Sequence, residues 1–360
     1  VKQNVIQTSE SLVELLGYLS TQDLIAFDTE FVAEDSYRPV LCLIQIATRD
    51  KVVIVDPLRC PRIDAFWELL LDPNRTVVVH AGREESLFCY RATGQRIPRL
   101  FDIQIASALL GAEFPASYGN LVLRYVGSQL GKEETRSDWR QRPLTHRQLD
   151  YAAQDVRDLP AIFDKISQEL TRRRRTPWLE EEMELRQGDL IATQHQEQWH
   201  RLSGAQSLTG ASLAVARRLW LWRESQAKAR DVPSRRILRD DLLVELAKRG
   251  SADIDHIASL RGMNHRHLKN YQEELSDCVR LGLEDPVPKW PRKFRYGTKQ
   301  PSGMLSQFLG AGLAFICRSQ RIAPSLVGTT DDLRDFALYR LEKQPSGVPP
   351  PTLLSGWRRD

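Results

Sequence analysis

The chain has 360 residues, 41 % of them hydrophobic, and a formal net charge of +4. That length exceeds one ordinary core and implies two or three domains, and the composition excludes a disordered or fibrous chain. No apolar stretch reaches the length that crosses a bilayer and Val1-Lys2-Gln3-Asn4 opens no signal-peptide run, so the expectation is a cytoplasmic protein with no membrane partner.

In chain order, residues 4–7 read as a short strand, and Ser9 or Ser11 could cap a helix running to about Leu19. Residues 24–31, Leu-Ile-Ala-Phe-Asp-Thr-Glu-Phe, have strand character and carry two acids. Strand residues two apart share a face, so Asp28 and Glu30 point the same way while Phe27, Thr29 and Phe31 point into a core. Two carboxylates side by side repel, and a divalent cation is the usual compensation; the alternative is a solvated strand end. Residues 41–48 form a nearly apolar strand suited to a sheet centre, and residues 51–55 form another that Asp56-Pro57 stops. A helix over 64–71 leads to a strand at 76–80. This alternation of strands and helices indicates an α/β layer domain.

After that strand comes His80-Ala81-Gly82-Arg83-Glu84-Glu85, where residues 82–91 have helical spacing. An acid in the first turn either reaches the end of the sheet or simply favours the helix dipole, and both Glu84 and Glu85 qualify. Residues 101–111 form a short strand turning into helix with Asp102 as its N-cap. Residues 117–129 form an amphipathic helix, and a polar loop from Gly131 ends near Pro143. Thr145 and Gln148 make a capping box that opens a long helix. On it Tyr151 and Asp155 lie four apart, on one face; Asp158 is a further candidate or an exposed ion-pair partner, and His146 is solvated. The five cysteines, Cys42, Cys60, Cys89, Cys278 and Cys317, include no Cys-x-x-Cys pair, so they indicate neither a disulfide framework nor a thiolate zinc site.

The phrases FDTEF, LIQIA, VDPL, HAGREE, FDIQIA, SDWRQRPLT and YAAQDV, in this order, resemble the ribonuclease D family, in the tyrosine-containing branch of the DEDD superfamily of 3′-to-5′ exonucleases. They cover the first half of the chain. The resemblance implies a ribonuclease H-like α/β domain, a mixed sheet with flanking helices. It also implies a site of Asp28, Glu30, Glu85, Tyr151 and Asp155, with the four acids holding two Mg²⁺ or Mn²⁺ ions. Such ions, roughly 3.5–4 Å apart, activate a water and stabilise the leaving 3′ oxygen of a phosphodiester. Asp28 bridges them, Glu30 and Asp155 complete one sphere, and Glu85 reaches the other through water. Tyr151 orients the attacking water. Glu85 stands where the family usually has Asp, one methylene shorter. Lys132, Trp139 and Arg142 match family positions in the loop facing the site: Lys132 for phosphate contact or leaving-group positioning, Trp139 for packing.

The second half is helical. Residues 211–250 carry ten Lys or Arg against five acids, and the run through 257–275 resembles the HRDC domain, a small helical bundle. The basic excess, including Arg217, Arg218, Arg235 and Arg236, suits RNA phosphates or an ordinary solvated helix surface. Residues 289–299 mix five basic residues with three aromatics, which suits single-stranded RNA or a packed interdomain segment. The expected organisation is an exonuclease domain at 1–172, a helical linker at 173–206, an HRDC domain at 207–285 and a second, degenerate all-α HRDC-like module at 286–360. The resemblance implies a 3′-to-5′ exoribonuclease that releases nucleoside 5′-monophosphates from tRNA precursors and small structured RNAs; the oligomeric state is not readable from the sequence, and a monomer is favoured. The rivals are a catalytically weakened RNA-binding protein and a DNA exonuclease of the same fold.

Overall fold

A computed structural model of the chain describes residues 4–60, 62–131, 137–263, 266–289, 303–341 and 349–359. They divide into two compact units, the first within 1–31, 41–192 and 294–360, the second within 32–40 and 193–293.

The first unit is built on a six-stranded sheet: β1 (Asn4–Ile6), β2 (Leu24–Val32), β3 (Val40–Ala47), β4 (Val52–Val55), β5 (Thr76–Val79) and β6 (Leu100–Asp102). Its strand order is β1-β4-β3-β2-β5-β6. β3 runs antiparallel to β4, whereas β1 and β4, β2 and β5, and β5 and β6 are parallel pairs, so the sheet is mixed as expected. The helices follow as α1 (Ser9–Leu19), α2 (Asp64–Leu69), α3 (Arg83–Thr93), α4 (Ile103–Ala108), α5 (Tyr118–Tyr125), α6 (His146–Arg157), α7 (Leu159–Arg172) and α8 (Thr176–His195). Thr8, not Ser9 or Ser11, caps α1: Thr8 is the extended residue, and its hydroxyl accepts from the Ser11 amide, while Ser9 already lies in the first turn. Asp102 caps α4 and Thr145 with Gln148 forms the capping box of α6, both as the sequence indicates.

The 286–360 segment was expected to form a module of its own. Its described helices, α15 (Gly303–Gln320), α16 (Pro324–Val327) and α17 (Thr330–Leu341), instead group with the sheet. The Arg175 guanidinium donates to the carbonyls of Leu109, Gln320 and Arg321, and the Ala323 amide donates to Ala108. Trp178 stacks on Trp357, and Glu182 accepts from Arg358 and from the Trp357 indole. Arginine's planar fork carries donors spread over two terminal nitrogens, so it reaches carbonyls on separate segments at once. The expected linker at 173–206 is mostly α8, and the boundary between the units falls inside that helix.

The second unit is a bundle of α9 (Ala211–Arg230), α10 (Ser234–Ile237), α11 (Asp240–Arg249), α12 (Ile254–Ala258), α13 (Arg266–Lys269) and α14 (Gln272–Glu284). Leu219, Leu243, Leu275 and Val279 fill its core. Gly282 lets α14 approach α9, because a Cβ there would stand 2.7 Å from the Val215 Cα. Residues 32–40 belong to this unit: the Tyr37 amide donates to Asp231, and Arg236 pairs with Asp35 at 2.5 Å. All five cysteines are buried and free, and among the described residues no helix is long and apolar enough to cross a membrane. Most of the basic-aromatic segment at 289–299, and residues 345–348 of the proline-rich stretch, lie outside the described residues.

Burial alone would raise the Glu182 pKa, but bonds from Arg358 and Trp357 hold it below its ordinary value. Arg358→Ala leaves that carboxylate without its main cation, so denaturant unfolding should show a loss of about 3–5 kcal/mol. A loss below about 1 kcal/mol would mean that the C-terminal end is not anchored through this pair.

Candidate active site

The register of β2 against β5 sets the position of the site. Pairing runs from Leu24 with Thr76 to Ala26 with Val78, and β5 ends at Val79, so Asp28 and Glu30 stand beyond the end of their neighbour. Strand ends of an α/β sheet leave such a crevice where adjacent connections diverge. On the opposite pleat Phe27 is fully buried in edge-on contact with Phe66 and Trp67. That anchor fixes which way the two acids face.

The next acid comes from the turn between β5 and α3. The buried Asp102 carboxylate accepts from the amides of Ala81 and Gly82, each at 3.0 Å, and from the Gln104 amide. Ala81 is held at φ 54°, and a Cβ on Gly82 would fall 2.3 Å from the Val79 Cγ2, so this turn has little freedom. It delivers Glu85, 5 % exposed, whose Oε1 accepts from the Thr29 hydroxyl at 2.5 Å. Glu84 is spent elsewhere, in an ion pair with Arg83. Of the two acids the sequence left open, Glu85 is the one that joins the strand pair.

Tyr151 and Asp155 stand one turn apart on α6, close enough for a phenol–carboxylate hydrogen bond. Trp139, buried, lies against the Tyr151 ring with centroids 6.1 Å apart.

The electrostatics join all five residues. Burial, then Glu85, Asp155 and Glu30, raise Asp28 well above its ordinary pKa. Burial, then Asp155 and Glu85, push Glu30 up to about 8. Glu85 is raised by burial to about 7, against the pull of the Thr29 hydroxyl. The Tyr151 phenol is raised by burial and by Asp155, Glu30 and Asp28, so it does not serve as a neutral-pH base. Four carboxylates thus share one field that a cation would relieve. Among the described residues no group of three or more His, Cys, Asp or Glu side chains is placed so that it could hold a metal ion as it stands. The donors nonetheless fit a hard divalent cation: all are oxygens, with no sulfur or imidazole among them.

One neighbour has no signature in the sequence. Tyr118, at the start of α5, places its hydroxyl 3.4 Å from the Gln154 carbonyl and is raised by burial and by Asp158, Asp155 and Asp28. Nothing in an amphipathic helix pattern marks it. Thr29 was legible only as a polar residue between two phenylalanines.

The arginines expected to meet RNA are all engaged. Arg217 pairs with Glu197, Arg218 with Asp285, Arg235 with Asp240 and Arg236 with Asp35. Arg223 is a core residue paired with Asp240. The basic excess counted along the sequence is therefore largely neutralised within the bundle. Lys132 lies outside the described residues.

A 3′-5′ exonuclease family model matches residues 3–171, and an HRDC domain model matches residues 212–279. The chain is 34 % identical to a ribonuclease D of Gluconacetobacter diazotrophicus, over 99 % of this chain and 89 % of that protein. It is 32 % identical to a ribonuclease D of Zymomonas mobilis, over 99 % and 91 %. The crystal structure of Escherichia coli RNase D, described as an exoribonuclease involved in structured RNA processing, superposes with a TM-score of 0.85 at 26 % identity, over 100 % of this chain and 96 % of that one.

The raised carboxylates set a pH dependence. In the unfolded chain Glu30 and Glu85 ionise near 4.5, in the folded one near 8 and 7, so in between the folded state holds the extra protons. Stability from these two groups is complete below about pH 4.5 and drains away as pH rises towards 8. A divalent cation reverses that loss, so the gain in Tm it confers over chelator-treated protein should widen from about pH 5 to 8. A gain that stays flat or shrinks with pH would contradict the shared field.

Proposed function

We propose, for a chain that belongs to the ribonuclease D family and is therefore a 3′-to-5′ exoribonuclease, that Asp28, Glu30, Glu85, Asp155 and Tyr151 carry out the hydrolysis with two divalent cations, Mg²⁺ or Mn²⁺. The observation that carries this reading is the shared field of the carboxylates: beside burial, Glu85, Asp155 and Glu30 raise Asp28, and Asp155 and Glu85 raise Glu30. When bound, the cations supply Lewis-acid activation of water and charge stabilisation at the scissile phosphate.

Each side chain has its task. Asp28, raised by burial and by all three other acids, would gain most from holding the cations. Glu30 and Asp155 offer oxygens on one side. Glu85 accepts the Thr29 hydroxyl through Oε1 and would hold a cation through its remaining oxygen or through a water. This arrangement accommodates the extra methylene of Glu. Tyr151, its phenol turned to Asp155, directs the attacking water by hydrogen bond rather than removing its proton. Hydrolysis from the 3′ end then releases nucleoside 5′-monophosphates.

The relatives are ribonucleases D, and the Escherichia coli structure is described as acting on structured RNA. We extend this to the present chain as 3′ trimming of tRNA precursors and other small structured RNAs by a monomer in the cytoplasm. Lys132 and the bundle arginines Arg217, Arg218, Arg235 and Arg236 remain in this reading as RNA contacts. For the four arginines, phosphates must compete with the carboxylates that already hold them. Such exchange of one anion for another gives weak binding that falls with salt.

Asp28→Asn should lower kcat on the order of 10³-fold, the loss of several kcal/mol of charge stabilisation, with RNA affinity within about twofold of the parent. Mononucleotide release from matched 3′-tailed RNA and DNA, with either cation or a chelator, reads this out. Turnover retained by Asp28→Asn contradicts its role. Binding without release under both cations would favour a weakened RNA-binding protein, and faster release from DNA would favour a DNA exonuclease.

A further inference from the structure

Two of the family phrases, VDPL and SDWRQRPLT, supply none of the five site residues, yet the fold brings them together. Asp56, at the end of β4, has a fully buried carboxylate. Arg142 donates to it twice, from Nε at 2.7 Å and from Nη2 at 2.8 Å. The same guanidinium also donates to three backbone carbonyls: Trp139 at 2.6 Å, Gln141 at 2.8 Å and Cys42, in β3, at 3.0 Å. One side chain thus ties a loop to two strands through five hydrogen bonds. Only a planar fork with donors on both edges can do so.

The loop carries Trp139 into the site. Its carbonyl is gripped by Arg142, and its buried ring lies against the Tyr151 ring at 6.1 Å, the planes tilted by 35°. α6 does not need this grip to form, because Thr145 and Gln148 cap it on their own. What the grip decides is which ring packs against Tyr151. A half-buried tyrosine can swing about its χ angles, and a packed aromatic neighbour limits that freedom.

From this geometry we propose that Asp56 and Arg142 form a buried latch that orients the Tyr151 phenol through Trp139. Asp56, Arg142 and Trp139 are positioning residues: they touch neither substrate nor cation and act on the chemical step through one hydroxyl. The inference rests on the role given to Tyr151 above. Misplacement of a water-directing group by about 1 Å costs on the order of 10²-fold in rate. Breaking the latch should therefore slow the chemical step and spare RNA binding.

The test is a double-mutant cycle in the full-length protein, read by single-turnover cleavage of a 3′-tailed RNA, with RNA affinity and Tm measured alongside. Arg142→Lys keeps the charge and loses the fork. It should slow cleavage about 10- to 100-fold with affinity within about twofold. Placed on Tyr151→Phe, it should cost no more than about twofold further, because the hydroxyl it positions is gone. If Arg142→Lys fails to fold, Trp139→Phe, which shrinks the backing ring and leaves the latch intact, should show the same non-additivity. Losses that multiply, or an unslowed Arg142→Lys or Trp139→Phe enzyme, would overturn the latch while leaving Tyr151 in place. A Tyr151→Phe enzyme as fast as the parent would overturn both the latch and the role of Tyr151 beneath it.

Discussion

Mutual repulsion among carboxylates in a poorly solvated crevice is the constraint on which the first unit turns. Left alone, Asp28, Glu30, Glu85 and Asp155 would separate or protonate, and the raised values of Asp28 and Glu30 record that tension, while burial raises Glu85. The fold holds them together by spending stability elsewhere. Phe27 locks the strand from behind, Asp102 clamps the turn before α3, and the Thr145–Gln148 capping box begins the helix that carries Tyr151 and Asp155. Each device fixes backbone rather than a carboxylate directly.

Local compensation of charge is the theme of the second unit as well. Its arginines are numerous, but Asp35, Glu197, Asp240 and Asp285 hold them in place. These pairs are partly exposed and individually worth little to stability. In the proposed reading, an RNA phosphate reaching these arginines would have to displace the carboxylates that already hold them. A moderate overall charge of +4 fits that picture.

Much of this was readable from the residues. The six strands, and α4 and α6 with their caps, fall where alternation and capping signals place them, because those signals are local. The pairing of Asp28 with Glu30, and of Tyr151 with Asp155, follows from the periods of strand and helix alone. What escaped is long-range. Thr29 was assigned to a core face, and its bond to Glu85 joins residues 56 positions apart. Tyr118 reaches the site from a helix whose pattern shows only amphipathicity. The last helices looked like a separate module because helical periodicity does not say which core a helix joins; Arg175, Glu182 and Arg358 make that decision. Counting charges likewise could not foresee that the bundle's arginines are paired, since Arg217 meets Glu197 and Arg218 meets Asp285 only once the bundle closes.

The central claim is that four acids and a tyrosine enclose the place where two divalent cations sit. A crystal soaked in Mn²⁺ and measured at an anomalous wavelength addresses it directly. The account predicts two peaks roughly 3.5–4 Å apart, one shared through Asp28 and touched by Glu30 and Asp155, with Glu85 bound directly or through a water. Peaks that avoid Asp28, or none at saturating Mn²⁺ in an active enzyme, would contradict it.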